Sequence, residues 1–339
     1  MTLSKQDTNI LKGIALLLLL AHHLFYKNPG LYDDVHLKGD YYLVQTVGYA
    51  AKICVAIFVF LSGYGLSMKY KEVIRFDKKR FYIERFTKLM LNYWLIWLIF
   101  VPISVLFLGP SLQETYGSFL PLKLFLDLIG LINVVGWYGY NQTWWFYSCI
   151  ILLYAMFPII HIYANKYMPI LLITSVAFCL LPGNVALCAR LYLPSFLFGV
   201  YVARNNIDVP SRVTVFSLLV ILMCERVMLK NVKYEILLDS IVVVMGGAFY
   251  VKIRLSRWIS LFLQFLGRHS MNIFLFHTFI FYLWFREYIY MSRNPLIIYI
   301  FLLLSCIFVS IMIEQLKRLI KFEKCQVRII EKLCLITSA

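Results

Sequence analysis

Charge is scarce in this sequence. Asp, Glu, Lys and Arg make up 15% of 339 residues, 62% are hydrophobic, and the mean hydropathy is +0.78. Water-soluble domains carry about 25% charged and about 45–50% apolar residues, so that class is excluded. There is no long hydrophilic stretch, no low-complexity region and no clear repeat, and residues 1–339 read as one unit without an appended soluble domain. The eight cysteines (54, 149, 179, 188, 224, 306, 325 and 334) include no C-x-x-C pair and no zinc-like spacing with histidine, so no metal site is expected. Most lie in apolar runs, where cysteine packs as a small hydrophobe. A cleavage site of small residues is also missing. The first apolar run ends in His22-His23-Leu24-Phe25-Tyr26 and reads as a retained span, not a signal peptide.

What is present is a series of apolar runs. A membrane-crossing helix needs roughly 17–25 predominantly apolar residues. Ten stretches qualify: 10–27, 43–68, 89–109, 144–164, 168–186, 188–204, 212–229, 235–252, 269–288 and 295–316. The expected fold is therefore an all-α polytopic membrane bundle of about ten transmembrane helices. Segment 118–140 is apolar but broken by Pro121, Lys123, Asp127, Gly130, Gly136 and Gly139. It reads as an interfacial or re-entrant helix, with a full span as the alternative.

The net charge of +16 comes from 33 Lys and Arg against 17 Asp and Glu. No nucleic-acid-reading motif accompanies it, so nucleic acid is not expected as a partner. The cations gather between the apolar runs, as the positive-inside rule demands of cytoplasmic loops. Lys69, Lys71, Arg75, Lys78, Lys79, Arg80, Arg85 and Lys88 form the densest cluster. Placing it in the cytoplasm puts the N-terminus there. Ten spans return Lys317, Arg318, Lys321, Lys324, Arg328 and Lys332 to the same side, with Lys252, Arg254 and Arg257; Lys230 and Lys233 fall outside. Such basic loops suit anionic membrane lipids or a phosphorylated substrate.

Ionisable residues inside apolar spans are costly and mark functional candidates. Lys12 and His23 stand eleven positions apart in the first run. At 100° per residue they share nearly one helical face, about 16 Å apart along the axis. His22 points about 100° away from His23. His23 reads either as a general base, kept neutral by a low-dielectric site, or as a histidine bonded to a neighbouring helix. Adjacent histidines do not share a face as metal ligands at i and i+4 do, so a metal site ranks behind both. In the second run, Ser62-Gly63 permits close helix approach, and the serine hydroxyl can bond across the gap. Arg85 and Lys88, three apart, share a face suited to phosphates or to snorkelling. Trp144 and Trp145 fit an interfacial aromatic belt and can also stack on a sugar ring. Ser270 and His277 lie on one side of a later helix, and Glu225, Arg226 and Asp239 are further charges in or near spans.

Taken in order, these motifs resemble the acyltransferase-3 family of bacterial integral-membrane acyltransferases. The likeness runs from about residue 8 to 315. It rests on Lys12 with His23, the Phe58–Tyr64 segment, Arg85 and Lys88 before Tyr93-Trp94, the Trp144–Tyr147 segment, Phe198-Gly199, and Leu266-Gly267 with Ser270 and His277. Where the family usually has a second arginine, this chain has Lys88. The resemblance implies transfer of an acyl group, most often acetyl, from acyl-CoA to a hydroxyl of a surface carbohydrate or lipid-linked glycan, at a bacterial cytoplasmic membrane. It implies His23 as the catalytic histidine, as base or transient acyl carrier, with Lys12 as its basic partner. It also implies Arg85 and Lys88 at the CoA phosphates, with Ser62 in support. Trp144, Trp145, Ser270 and His277 are the candidates on the acceptor side. Acetyl-CoA or another acyl-CoA is expected as donor substrate, and no permanently bound cofactor is expected. The competing reading is a transporter or flippase of a glycan or lipid-linked substrate.

Overall fold

The computed structural model describes residues 1–26, 28–38, 41–73, 76–183, 186–205, 207–228 and 231–336. Lys27, where the first apolar run ends, and the loop charges Arg75 and Lys230 lie outside them. The described chain is almost wholly helical, with one two-stranded ribbon of His36–Lys38 and Tyr41–Tyr42. Helix α1 (Lys5–Phe25) begins at a capping box. The Ser4 hydroxyl accepts the Asp7 amide at 3.1 Å, and the Asp7 carboxylate accepts the Ser4 amide at 2.8 Å. Helices α2 (Leu43–Ala50) and α3 (Cys54–Tyr70) follow, joined by one tight turn, then α4 (Lys78–Ile103), which continues as a wider π-turn through Leu108.

Residues 118–140 do not form a long helix. After the short α5 (Leu112–Tyr116) comes α6 (Leu120–Leu128), whose 9 residues span only about 13 Å, against about 30 Å of hydrocarbon. The segment folds around Asp127 instead. Its buried carboxylate accepts the Tyr116 hydroxyl at 2.5 Å and the Tyr140 amide at 2.9 Å, while the Tyr93 hydroxyl donates to the Asp127 carbonyl at 2.8 Å. The Trp94 indole donates to Leu128. Tyr93-Trp94 thus ties this segment to α4.

Helix α7 (Trp145–Leu180) joins two runs that the sequence separates. Tyr167 leaves helical geometry, and Pro169 cannot donate to the carbonyl of Asn165. The chain reverses there. Trp145 stacks near Tyr192 and His161 meets Arg204, so the first arm runs parallel to α8 (Leu187–Arg204). Phe178 and Pro182 nevertheless lie against Arg190, near the start of α8. Next come α9 (Arg212–Met228), α10 (Val232–Tyr250), α11 (Arg257–Thr278), α12 (Arg286–Tyr290), α13 (Pro295–Leu319) and α14 (Phe322–Ile336). Helix α11 starts twelve residues before the apolar run at 269–288, because its first turns are amphipathic and their charges hide them from a hydropathy reading.

Five stretches are long and apolar enough to cross a membrane by length and composition: Lys5–Phe25, Leu43–Tyr70, Lys78–Leu108, Gln142–Leu180 and Pro295–Leu319. Helices α8 to α11 are shorter or carry charges such as Arg190, Asp239 and Arg268.

Two crossings hold the centre. A Cβ on Gly13 of α1 would strike the Leu263 carbonyl of α11, and one on Gly267 of α11 would strike the Asn9 carbonyl of α1. Gly63 of α3 and Gly199 of α8 meet the Phe196 and Phe60 carbonyls in the same reciprocal way. Between apolar helices the hydrophobic effect supplies little, and such backbone approach supplies the van der Waals contact. The small residues at Ser62-Gly63, Phe198-Gly199 and Leu266-Gly267 serve packing.

Candidate active site

The last turn and a half of α1 separates its two histidines by helical phase. His22 turns to α2, where its Nδ1 bonds the Gly48 carbonyl at 2.9 Å and its ring stacks on Tyr26. His23 turns to α11. Its Nδ1 lies 2.6 Å from His277 Nε2, with the ring centroids 4.9 Å apart and the ring planes 11° from parallel. The second partner is 254 positions away in sequence.

The hydrogen bonds assign the protons. His277 Nδ1 faces two carbonyls, Ile273 and Phe274, each at 3.0 Å. Carbonyl oxygens only accept, so that nitrogen carries the proton. In a neutral His277, Nε2 is then an acceptor, and His23 Nδ1–H donates to it. The lone pair of His23 consequently resides on Nε2. A neighbour that fixes a tautomer in this way prepares a histidine to act as a base.

His23 borders a cavity of about 20 Å³, walled by Leu19, Val55, Phe58, Phe146 and Phe274. Thr143 and Trp145 complete the lining, and the Thr143 hydroxyl is directed to Asn141 at 2.8 Å. No group of three His, Cys, Asp or Glu side chains suited to a metal occurs among the described residues.

The other sequence candidates are distributed as follows. Lys12 is half-buried on α1, about 16 Å of helix from His23, and no ion pair among the described residues includes it. The Ser62 hydroxyl bonds the Phe58 carbonyl of its own helix at 2.9 Å. Arg85 lies over the Tyr70 ring at 5.8 Å, and its buried Nε has no hydrogen-bond partner among the described residues. Lys88, one turn on, is exposed. Trp144 is buried, its indole donating to the Leu275 carbonyl at 2.9 Å, whereas Trp145 reaches the cavity. Ser270 donates to the Gly267 carbonyl at 2.8 Å. The structure therefore joins His23, His277 and Trp145 at one place. Arg85 and Lys88 lie at another, and Lys12 sits on α1 about 16 Å of helix from His23.

Two arrangements escape a reading of the sequence. Near Arg85, Arg204 at the end of α8 donates to Ser67 at 3.1 Å, to His161 Nδ1 at 2.8 Å and to Asn165. Towards the other end of the bundle, Arg226 bonds Asp239 and also Glu235 at 3.1 Å, and Lys52 bonds Glu235 at 3.1 Å. Arg226 was visible as a boundary charge, but its partners come from a neighbouring helix. Arg204 closes α8, and its partners come from α3 and α7.

Apolar helices of membrane length, with a histidine pair in the interior of the bundle, are the features of a membrane protein. A family profile described as an acyltransferase domain matches residues 6–315, and the chain belongs to that family, acyltransferase-3. No curated protein and no solved structure matches the chain. Family membership carries the class of chemistry: acyl transfer by a membrane protein.

Proposed function

We propose that this protein is an O-acetyltransferase that moves an acyl group from acyl-CoA to a hydroxyl of a cell-surface carbohydrate or lipid-linked glycan at a bacterial cytoplasmic membrane. The His23–His277 pair beside an apolar cavity carries the proposal. His23 Nε2 takes the proton of the acceptor hydroxyl as its oxygen attacks the thioester carbonyl carbon. The tetrahedral intermediate then collapses, the C–S bond breaks, and the thiolate recovers the proton from His23. His277 holds the tautomer and disperses the charge that develops on His23. The CoA phosphates lie at Arg85, Lys88 and Arg204, with Lys12 between them and His23. Trp145 stands on the acceptor side with Ser270 and Trp144 behind it, and Ser62 lines the donor route.

In this reading ten helical arms cross the membrane, with the two arms of α7 counted separately and both termini cytoplasmic. Contacts along the chain support it. Leu3 meets Tyr64 at one end and Tyr250 meets Asp7 at the same end, while His23 meets His277 and Arg226 meets Tyr49 towards the other. The basic group of Lys69, Lys71, Lys78, Lys79 and Arg80 gathers at the first of these ends.

The test is mass spectrometry of envelope glycans from cells carrying wild type, His22→Ala or His23→Ala at equal protein levels. Acetylation is expected in the first two and lost in the third. Normal acetylation with His23→Ala would remove the proposal, and loss of glycan export together with an acyl-CoA thioester left intact by the purified wild-type protein would favour a transporter.

A further inference from the structure

We infer that the cavity at His23 is the slot for the acyl chain, and that Phe58, Phe146 and Phe274 set its length and exclude charge; the inference rests on the acyl-transfer reading above. A base must reach the attacking hydroxyl at about 2.6–3.2 Å, and that oxygen approaches the carbonyl carbon to about 3–3.5 Å. The acyl chain starts one bond beyond that carbon. Space bordering His23 is therefore where it goes.

The space is small. At about 20 Å³ it exceeds only slightly the roughly 10–15 Å³ that one water molecule requires, which suits a methyl group. Its aromatic wall is continuous: the Phe58 and Phe146 rings are 6.2 Å apart, and the Phe146 and Phe274 rings 5.1 Å apart, edge to face. Three helices supply the rings, α3, α7 and α11, so the limit comes from the bundle core and not from a mobile loop.

The wall also selects by charge. Among the described residues no Lys or Arg lines the cavity. Lys52, three positions before Val55, is held by Glu235 at 3.1 Å, and the Thr143 hydroxyl is directed to Asn141. A dicarboxylic acyl group such as succinyl would bring an unpaired carboxylate into an apolar space, at a cost that rejects it. The substrate class is a short, uncharged acyl thioester.

The experiment measures thiol release by the full-length purified protein in detergent, with acetyl-, butyryl-, hexanoyl- and succinyl-CoA and a hydroxyl acceptor. Wild type is expected to use acetyl-CoA best, to lose roughly tenfold or more in kcat/KM per added pair of methylenes, and to reject succinyl-CoA. Phe146→Ala is expected to shift the optimum to butyryl- or hexanoyl-CoA without admitting succinyl-CoA. Phe58→Leu is the milder companion should the first variant fold poorly. Succinyl- or hexanoyl-CoA used by wild type as well as acetyl-CoA would overturn the slot, as would an unaltered donor profile in folded variants. Absence of turnover with every donor would instead overturn the acyl-transfer reading beneath it.

Discussion

The polar cluster around Arg226 and the one at His23 and His277 differ in how their hydrogen bonds are arranged. Around Arg226 two cations, Arg226 and Lys52, face two carboxylates, Glu235 and Asp239, and the charges balance within the cluster. At His23 the chain of bonds is directional. It starts at the Ile273 and Phe274 carbonyls, passes through His277, and delivers the lone pair to His23 Nε2 on a side chain that borders a cavity. The first arrangement suits cohesion; the second is the one we propose for proton transfer. Burial of an ionisable residue alone does not distinguish them; the balance of donors and acceptors does.

Substitution should separate the two clusters sharply. His23→Ala is expected to lower acyl transfer by about 100-fold or more, the scale of a lost general base, with little change in thermal unfolding in detergent. Arg226→Met should do the reverse. It leaves Asp239 without its partner in the interior, at a cost of about 3–5 kcal/mol read as a lower melting temperature and yield. Replacing Arg226 and Asp239 together by leucine should recover most of that loss, since Lys52 and Glu235 remain matched. Equal losses of activity and of stability in both His23→Ala and Arg226→Met would erase the distinction.

Gly63→Ala adds a methyl group against the Phe196 carbonyl and should cost about 1–3 kcal/mol through strain at the α3–α8 crossing. Smallest is the effect of refining the histidine pair. His277→Phe removes the acceptor for His23 Nδ1–H and should lower kcat about tenfold, an effect near 1.4 kcal/mol. His277→Gln offers an amide oxygen in its place and should retain more of the rate. Equal losses in the two variants would mean that His277 only fills space.

How much of this was legible beforehand depends on the distance over which each interaction acts. The phase of α1 is local, so eleven residues suffice to place His23 on the face of Lys12 and to turn His22 away. The partner of His23 is not local. His277 looked like a companion of Ser270 on the same helix, and only the α1–α11 crossing at Gly13 and Gly267 brings it to His23. Ser62-Gly63 drew attention for its hydroxyl, yet the serine bonds within its own helix and the glycine makes the crossing. Glu225, Arg226 and Asp239 were visible as charges, and geometry alone shows that Arg226 takes Asp239 and Glu235. Segment 118–140 carried its own interruptions, but the role of Asp127 as the hub beneath Tyr93, Tyr116 and Tyr140 is tertiary. Hydropathy lost the start of α11 because Arg257 and Arg268 bracket its first turns and set them apart from the apolar run that follows.

The most direct measurement is thiol release from acetyl-CoA, with a hydroxyl acceptor present, by purified wild type, His22→Ala and His23→Ala of equal melting temperature. The account predicts wild-type-like turnover for His22→Ala, within about tenfold, and loss of about 100-fold or more for His23→Ala. Full turnover by the His23→Ala protein would contradict it.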